Sequence, residues 1–200
     1  MVAQARSPYV TPQEYLERED RAEYKSEYID GVIVAMAGST EDHDRISSDI
    51  LTSFNIQLRR SKCEPFSSNM RVSVPECNRY YYPDVSVACG GSKFETISGV
   101  KSLANAAVIV EVVSESTANL DRGEKLFCYQ TLPSLKYYIT AAQDEPLIQV
   151  YERDEGETWL YRLYRGLDAE IKLSEIRCEL RLVDVYARVE FAVAGAQPDN

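Results

Sequence analysis

The stretch AAVIVEVVS, residues 106–114, decides the fold class of this chain. Its continuous apolar residues are typical of a strand buried inside a sheet, and they predict a strand over 106–113. Glu111 interrupts the run, and a buried carboxylate is costly unless it is paired, protonated or bound to a metal. A place at a sheet edge, or an ion pair with a Lys or Arg, would also accommodate it. The stretch therefore raises the question of what Glu111 binds.

The flanking sequence predicts helices and strands that would cover this central strand. Thr11 and Thr40 precede helical patterns, and Asp30-Gly31 is a strong hairpin signal. The predicted elements are helices from 12, from 41 and around 125 up to Pro133, strands over 63–67, 70–74, 80–89 and 134–142, hairpins at 30–31 and across 154–157, and a closing strand and helix over 178–191. This order predicts an α/β (α+β) fold in which helices flank a central mixed sheet, with an added C-terminal β-hairpin.

Length, charge and cysteine content limit the classes of protein. The 200 residues predict a single domain, with a loose arm over 1–8, a core over 9–192 and a loose tail over 193–200. The net charge of −10 argues against non-specific binding to nucleic acid, although 59–79 is locally basic. Five cysteines without a CxxC pair argue against a zinc site and a secreted disulfide framework. No segment approaches the ~20 apolar residues of a membrane span, so we expect a soluble, cytoplasmic protein.

Two carboxylates on predicted strands offer a metal site. Strand alternation places Glu111 on one face with Ile109 and Val113, and Asp84 lies within the predicted strand 80–89. If the two strands are neighbours, the carboxylates stand side by side and repel each other unless a cation lies between them. Oxygen ligands suit hard divalent ions, so Mg²⁺ or Mn²⁺ is the expected occupant.

Three further polar residues are candidates, and each has a plainer interpretation. Lys125 is predicted on the helix after the central strand and shares a face with Asp121 and Tyr129, so a surface Asp–Lys pair would also explain it. Glu27 lies in the first hairpin, where exposed glutamates are common. His43 heads the buried stripe of its helix and should point inward or toward a cleft, but a packed or solvated histidine is equally ordinary.

With these residues in place, the chain resembles the PD-(D/E)xK nuclease superfamily, and more closely it is similar to the Uma-family endonucleases. The matching stretches are EYIDGVIVAMAGSTEDHDRI, YYYPDVSVACG, VIVEVVSEST, DRGEKLFCYQTLPSLKYYI and LIQVYER. They occur in the expected order over roughly residues 10 to 190. The resemblance implies the restriction-endonuclease-like fold and a metal-dependent phosphodiesterase site.

The resemblance also implies a role for each candidate. Asp84, Glu111 and the backbone carbonyl of Val112 would hold Mg²⁺ or Mn²⁺. Lys125 would orient the attacking water and stabilise the charge that develops on the phosphate. The superfamily pattern places this lysine two residues after the acid, but residue 113 is valine, so similar proteins are expected to supply it from the following helix.

Glu27 matches an early acidic residue of the family that would hold a second ion or a metal-bound water, and His43 would contact the phosphate or relay a proton. The implied activity is endonucleolytic cleavage of DNA, expected to be double-stranded, and a homodimer would supply the two sites that double-strand cleavage needs. One alternative is a nuclease fold that does not cut and serves as a nucleic-acid-binding or structural module. Another is a hydrolase of small phosphodiesters, and Tyr80–Tyr82 could stack on a base in either an endonuclease or such a hydrolase.

Overall fold

The computed structural model describes residues 9–114, 121–155 and 158–191, so the predicted N-terminal arm and C-terminal tail lie outside the described residues. The helices are α1 (Pro12–Glu19), α2 (Glu41–Leu58), α3 (Asp121–Gln130) and α4 (Leu182–Val185). The strands are β1 (Ser26–Ile29), β2 (Val32–Ala35), β3 (Cys63–Ser67), β4 (Val72–Val74), β5 (Arg79–Tyr81), β6 (Val85–Cys89), β7 (Phe94–Ile97), β8 (Val100–Leu103), β9 (Ala106–Val113), β10 (Tyr137–Ala142), β11 (Leu147–Arg153), β12 (Trp159–Arg165), β13 (Glu170–Leu173) and β14 (Cys178–Arg181).

Two six-stranded sheets organise the chain. The central sheet has the order β12-β11-β10-β9-β6-β3, with β9 and β10 parallel and its other pairs antiparallel. The N-terminal sheet has the order β2-β1-β5-β4-β8-β7, and β13 pairs with β14. The predicted mixed α/β class is confirmed, and the predicted hairpin β11–β12 extends the central sheet. The sequence did not reveal the N-terminal sheet as a separate layer.

The two faces of β9 pack against different partners, as its apolar pattern predicts. Val110 belongs to the same buried cluster as Ile50 of α2. Ile109 belongs to a second cluster with Tyr129 of α3 and Tyr81 of the N-terminal sheet. The helices α2 and α3 therefore cover opposite faces of the central sheet, and α3 shares its face with the N-terminal sheet.

Local sequence signals explain the elements that lead to the site. The turn between β1 and β2 has positive φ at both central residues, 43° at Asp30 and 89° at Gly31, which the hairpin turn of this type requires. Thr40 caps α2 by accepting a hydrogen bond from the His43 amide at 3.3 Å. The predicted hairpin and the predicted start of α2 are therefore confirmed.

The predicted continuous strand over 80–89 is wrong. Residues 79–81 form β5 in the N-terminal sheet, whereas 85–89 form β6 in the central sheet. The chain crosses between the two sheets at residues 82–84, where Pro83 has no amide hydrogen to donate to a ladder. Asp84 consequently lies at the junction of the two sheets.

The cysteines also depart from expectation, because four of the five form disulfide bonds. Cys63 pairs with Cys89 across β3 and β6, and Cys77 pairs with Cys128 of α3. The fifth, Cys178, is buried and free. The expectation that this chain lacks disulfides is therefore wrong, and a cytoplasmic location stays a prediction. Among the helices described here, none is long and apolar enough to cross a membrane.

Candidate active site

Asp84 and Glu111 meet because β6 and β9 are antiparallel neighbours. Val85 pairs with Val110, so the next position on each strand brings Asp84 opposite Glu111. One carboxylate oxygen of Asp84 (Oδ2) accepts a hydrogen bond of 2.7 Å from the Val112 amide. The prediction that the two strands are neighbours is confirmed, and the Val112 amide fixes the Asp84 carboxylate beside Glu111.

Glu111 is buried within the face of β9 that packs toward α3. Tyr129 donates a hydrogen bond of 3.3 Å to its Oε1, and the Lys125 ammonium lies 3.7 Å from the same oxygen. Burial raises the pKa of Glu111 to about 8; Lys125 opposes this rise, whereas Asp84 and Glu27 add to it. Without a further cation, the site therefore favours the protonated form of this carboxyl group.

Lys125 points into the site from α3. Its ammonium donates a hydrogen bond of 3.0 Å to Glu27 Oε1 and lies 5.2 Å from the centre of the Tyr81 ring. Only 18% of its side chain is exposed, which does not fit a solvated surface lysine. Asp121, the partner in the surface-pair interpretation, has a side chain outside the described part. The ammonium of Lys125 thus lies between two buried carboxylates.

Glu27 reaches the site from β1 in the N-terminal sheet. The exposed fraction of the residue is only 8%, so the interpretation as an exposed hairpin glutamate is wrong. Its Oε1 accepts hydrogen bonds from Lys125 and, at 3.3 Å, from the Tyr82 amide in the crossing segment. Glu27 therefore connects the N-terminal sheet to α3 and to the segment that carries Asp84.

His43 approaches Asp84 from the first turn of α2. Its Nε2 lies 3.2 Å from Asp84 Oδ2. The hydrogen bond to Asp84 raises the pKa of His43 against the opposing effect of burial, and a hydrogen bond to the Val112 backbone raises it further. The imidazole consequently faces the cleft, one of the two orientations that the position of His43 on the helical stripe predicts.

The five predicted side chains line one cavity of about 700 Å³: Glu27, His43, Asp84, Glu111 and Lys125. The cavity lies between the N-terminal and central sheets and the first turn of α2. The Val112 backbone and the β1–β2 hairpin complete its walls. Sequence reasoning placed Tyr129 on the Lys125 face but did not assign it to the site. The spacing of four residues between them was the available signal.

The donors present fit a hard divalent cation. Asp84 and Glu111 supply carboxylate oxygens, and the excess negative charge beside the buried Glu111 is what a cation would neutralise. Within the described ranges, no cluster of three or more His, Cys, Asp or Glu side chains is arranged to hold a metal ion. The predicted set has only two such side chains and the Val112 carbonyl. That number is compatible with Mg²⁺, which usually keeps several water ligands.

Comparisons with known proteins agree with this architecture. Residues 12–183 match a family model described as "Uma2: Putative restriction endonuclease". Two Synechocystis proteins are similar to this chain. Uncharacterized protein sll1609 is 33% identical over an alignment that covers 87% of this chain and 98% of its own length. Uncharacterized protein slr1290 is 30% identical over an alignment that covers 92% of this chain and 95% of its own length. The crystal structure of a "putative nuclease belonging to DUF820" from Anabaena variabilis superposes with a TM-score of 0.67 at 17% identity, covering 86% of this chain and 97% of that one. This last likeness establishes a shared fold.

Proposed function

The chain belongs to the Uma2 family, and from this premise we propose that it is a divalent-metal-dependent endonuclease that hydrolyses phosphodiester bonds of DNA. The match of residues 12–183 to the family model confirms the family resemblance recognised in the sequence. The observation that carries the proposal is the convergence of Asp84, Glu111 and Lys125 on one cavity, although they come from three separate elements. A buried carboxylate beside a second, mostly buried carboxylate and a mostly buried ammonium is costly for folding and is typical of catalytic sites.

Asp84, Glu111 and the Val112 carbonyl would hold the cation, Mg²⁺ or Mn²⁺. When bound, such an ion polarises a phosphate oxygen and lowers the pKa of a coordinated water. The protein positions these ligands in advance, because the Val112 amide holds Asp84 and the Tyr129 hydroxyl holds Glu111. Less reorganisation is then needed when substrate enters.

Lys125 supplies the positive charge beside the reacting phosphate. Its ammonium contacts Glu27 at 3.0 Å and Glu111 at 3.7 Å, so it lies at the edge of the proposed cation site. A fixed cation there stabilises negative charge that grows on the phosphate, and its N–H groups can orient the attacking water. Glu27 holds this ammonium in place. This role is different from the one expected from the sequence, in which Glu27 binds a second ion or a water.

His43 is placed to exchange a proton or to bind phosphate. Because its hydrogen bond to Asp84 raises the pKa of the imidazole, the charged form persists to higher pH than in an ordinary histidine. A protonated imidazole could donate a hydrogen bond to a phosphate oxygen or a proton to the leaving oxygen. A homodimer, which would allow both strands to be cut, stays a prediction.

A valine stands at position 113, where the superfamily pattern has a lysine, and this alone would favour an inert nuclease fold. The position of Lys125 removes that objection, because an ammonium is present beside Glu111 from a different element. The acidic net charge of −10 still favours a structural module over an enzyme that engages long duplexes. Cleavage and metal-binding assays separate these two functions.

We would first measure Mn²⁺-dependent thermal stabilisation of the wild type beside the Asp84→Asn/Glu111→Gln double variant. A matched control, Asp168→Asn/Glu170→Gln, makes the same chemical changes at exposed positions. Mn²⁺ should raise the melting temperature of the wild type and the control but not of the site variant. Metal-dependent cleavage of DNA should follow the same pattern. Equal stabilisation of all three proteins would exclude this metal site, and metal binding without cleavage would favour the inert fold.

A further inference from the structure

One wall of the cavity is apolar and exposed, although it stands beside a catalytic carboxylate. Tyr24 is 80% exposed, Val34 41% and Met36 38%, and all three line the cavity. Val34 pairs directly with Glu27 across β1 and β2, so the two side chains lie on the same face of the hairpin. The Met36 amide donates to the carbonyl of Lys25, the residue after Tyr24. Single exposed apolar residues are ordinary, but three at the mouth of one cavity indicate a binding surface.

The charges around the cavity do not suit a duplex. Among the residues that line it, the four acids Glu27, Asp44, Asp84 and Glu111 stand against two lysines and His43, so without a metal the cavity has no excess of positive charge. Lys125 is engaged by Glu27, and the Lys25 ammonium donates to the Ser68 carbonyl and the Asn69 side chain, each at 2.9 Å. Duplex DNA binds mainly through neutralisation of its phosphates by several Lys and Arg side chains. Among the described residues that line the cavity, no further lysine or arginine accompanies these two.

The basic stretch 59–79 does not supply that row. Arg59 follows the C-terminal end of α2, whereas His43 lies at the N-terminal end, and a helix of 18 residues separates its ends by about 27 Å. Arg71 is buried and hydrogen-bonded to Tyr82 and Ser102. Arg79 forms an ion pair with Glu124. The local excess of positive charge in the sequence is therefore dispersed in the fold.

We propose that Tyr24, Val34 and Met36 form a stacking surface for unpaired nucleobases, so that the site takes single-stranded nucleic acid or unpaired ends rather than continuous duplex. This assignment rests on the nuclease function proposed above and limits its substrate to nucleic acid with unpaired bases. Stacking of a base on an aromatic ring contributes to single-strand binding in addition to phosphate contacts, and this contribution does not depend on the charge of the cavity. The tyrosines that suggested base stacking in the sequence, Tyr80, Tyr81 and Tyr82, are all buried, although Tyr82 lines the cavity. The ring of Tyr24, in contrast, is exposed beside the cavity.

The test measures binding of short labelled oligonucleotides to the Glu111→Gln protein by fluorescence anisotropy in Mg²⁺. The probes are single-stranded DNA of about 12 nucleotides, RNA of the same sequence, and the blunt DNA duplex. We expect the single strand to bind about tenfold more tightly than the duplex, with a weak dependence on salt because few phosphates are neutralised. Adding Tyr24→Ser should weaken single-strand binding about tenfold, and Tyr24→Phe should preserve it.

Tyr161→Ser is the matched control, because Tyr161 is 52% exposed on β12 and does not line the cavity. Equal binding of duplex and single strand, or equal effects of Tyr24→Ser and Tyr161→Ser, would overturn the stacking surface. Loss of a dimer in the Tyr24→Ser protein with unchanged nucleic-acid binding would also overturn it and would assign this wall to a protein contact. Preference for the RNA would support stacking but overturn DNA as substrate. Asp84-dependent cleavage of duplex that ignores Tyr24→Ser would leave the proposed nuclease function intact while refuting this narrower assignment.

Discussion

Replacement of Glu111 by glutamine should stabilise the metal-free protein at neutral and alkaline pH. In the folded chain, burial raises the pKa of Glu111 from the ordinary 4.5 to about 8, with Asp84 and Glu27 adding to the rise. The folded state therefore binds a proton that the unfolded state has already released. Stability from this group is fully present below about pH 4.5 and is lost as pH rises toward about pH 8. Glutamine resembles the protonated carboxyl group and does not titrate.

The size of the effect follows from the displaced pKa. Between about pH 5 and pH 8, the free energy of unfolding of the wild type should fall by up to ~1.4 kcal/mol per pH unit because of Glu111. Over that window the loss reaches an upper limit of about 4 kcal/mol, which the glutamine variant avoids. His43, whose raised pKa also makes its contribution fall as pH rises, is present in both proteins and so cancels from the comparison.

Urea denaturation of both proteins at several pH values, with a chelator present, measures this difference. The exposed substitution Glu170→Gln provides the control for the chemical change itself. Mg²⁺ or Mn²⁺ should restore the stability of the wild type at pH 8 and leave the Glu111→Gln protein unchanged. Parallel pH profiles of wild type and Glu111→Gln would refute the reasoning, since they would mean that the folded state ionises Glu111 without penalty.

Three further variants test two neighbours of this carboxylate and one disulfide bond. Lys125→Met should lower the rate of cleavage by ~10²-fold or more. Urea denaturation should show a free energy of unfolding lower by about 3 kcal/mol, because two buried carboxylates lose their shared ammonium. Normal cleavage activity would exclude Lys125 from the site. Tyr129→Phe should lower the free energy of unfolding by about 1 kcal/mol and raise the Mn²⁺ concentration needed for half-maximal thermal stabilisation. An unchanged Mn²⁺ titration would show that the Tyr129 hydroxyl does not position Glu111. Cys77→Ser/Cys128→Ser should lower the free energy of unfolding by about 4 kcal/mol, as expected for opening a loop with a sequence separation of 51. Reductant should lower the stability of this variant less than that of the wild type. An equal effect of reductant on both proteins would mean that this bond is not formed in solution.

The elements that short-range patterns specify were predictable from the sequence. Strand alternation correctly placed Glu111 on the face of Ile109, and the Asp30-Gly31 turn and the Thr40 cap correctly located the hairpin and α2. Each of these depends on residues within a few positions of each other, so propensity and hydrogen bonding decide them locally. The adjacency of β6 and β9 entered the sequence analysis only as a condition for a shared metal site, and the register of the sheet shows that the condition is met.

Features that depend on distant contacts were missed. Nothing local to Pro83 indicates that the chain leaves one sheet for another there, because an extended backbone suits both. The hairpin β7–β8 is an exception, because its Ser98-Gly99 turn, with positive φ at both residues, is a local signal that the sequence analysis overlooked. The disulfide partners are 26 and 51 residues apart, and cysteine counting cannot pair residues at such separations.

The valine at position 113 shows why this site is poorly described by a sequence motif. The proposed chemistry needs an ammonium at a point in space beside Glu111, and α3 places Lys125 there, held by Glu27 of the N-terminal sheet. Asp84 lies where the chain crosses between the sheets, so the packing of one layer on the other sets its position relative to Glu27. The relative placement of the ammonium and the carboxylates is thus a property of the whole fold. Substitutions that loosen the interface between the layers should impair the site even when every catalytic residue is retained.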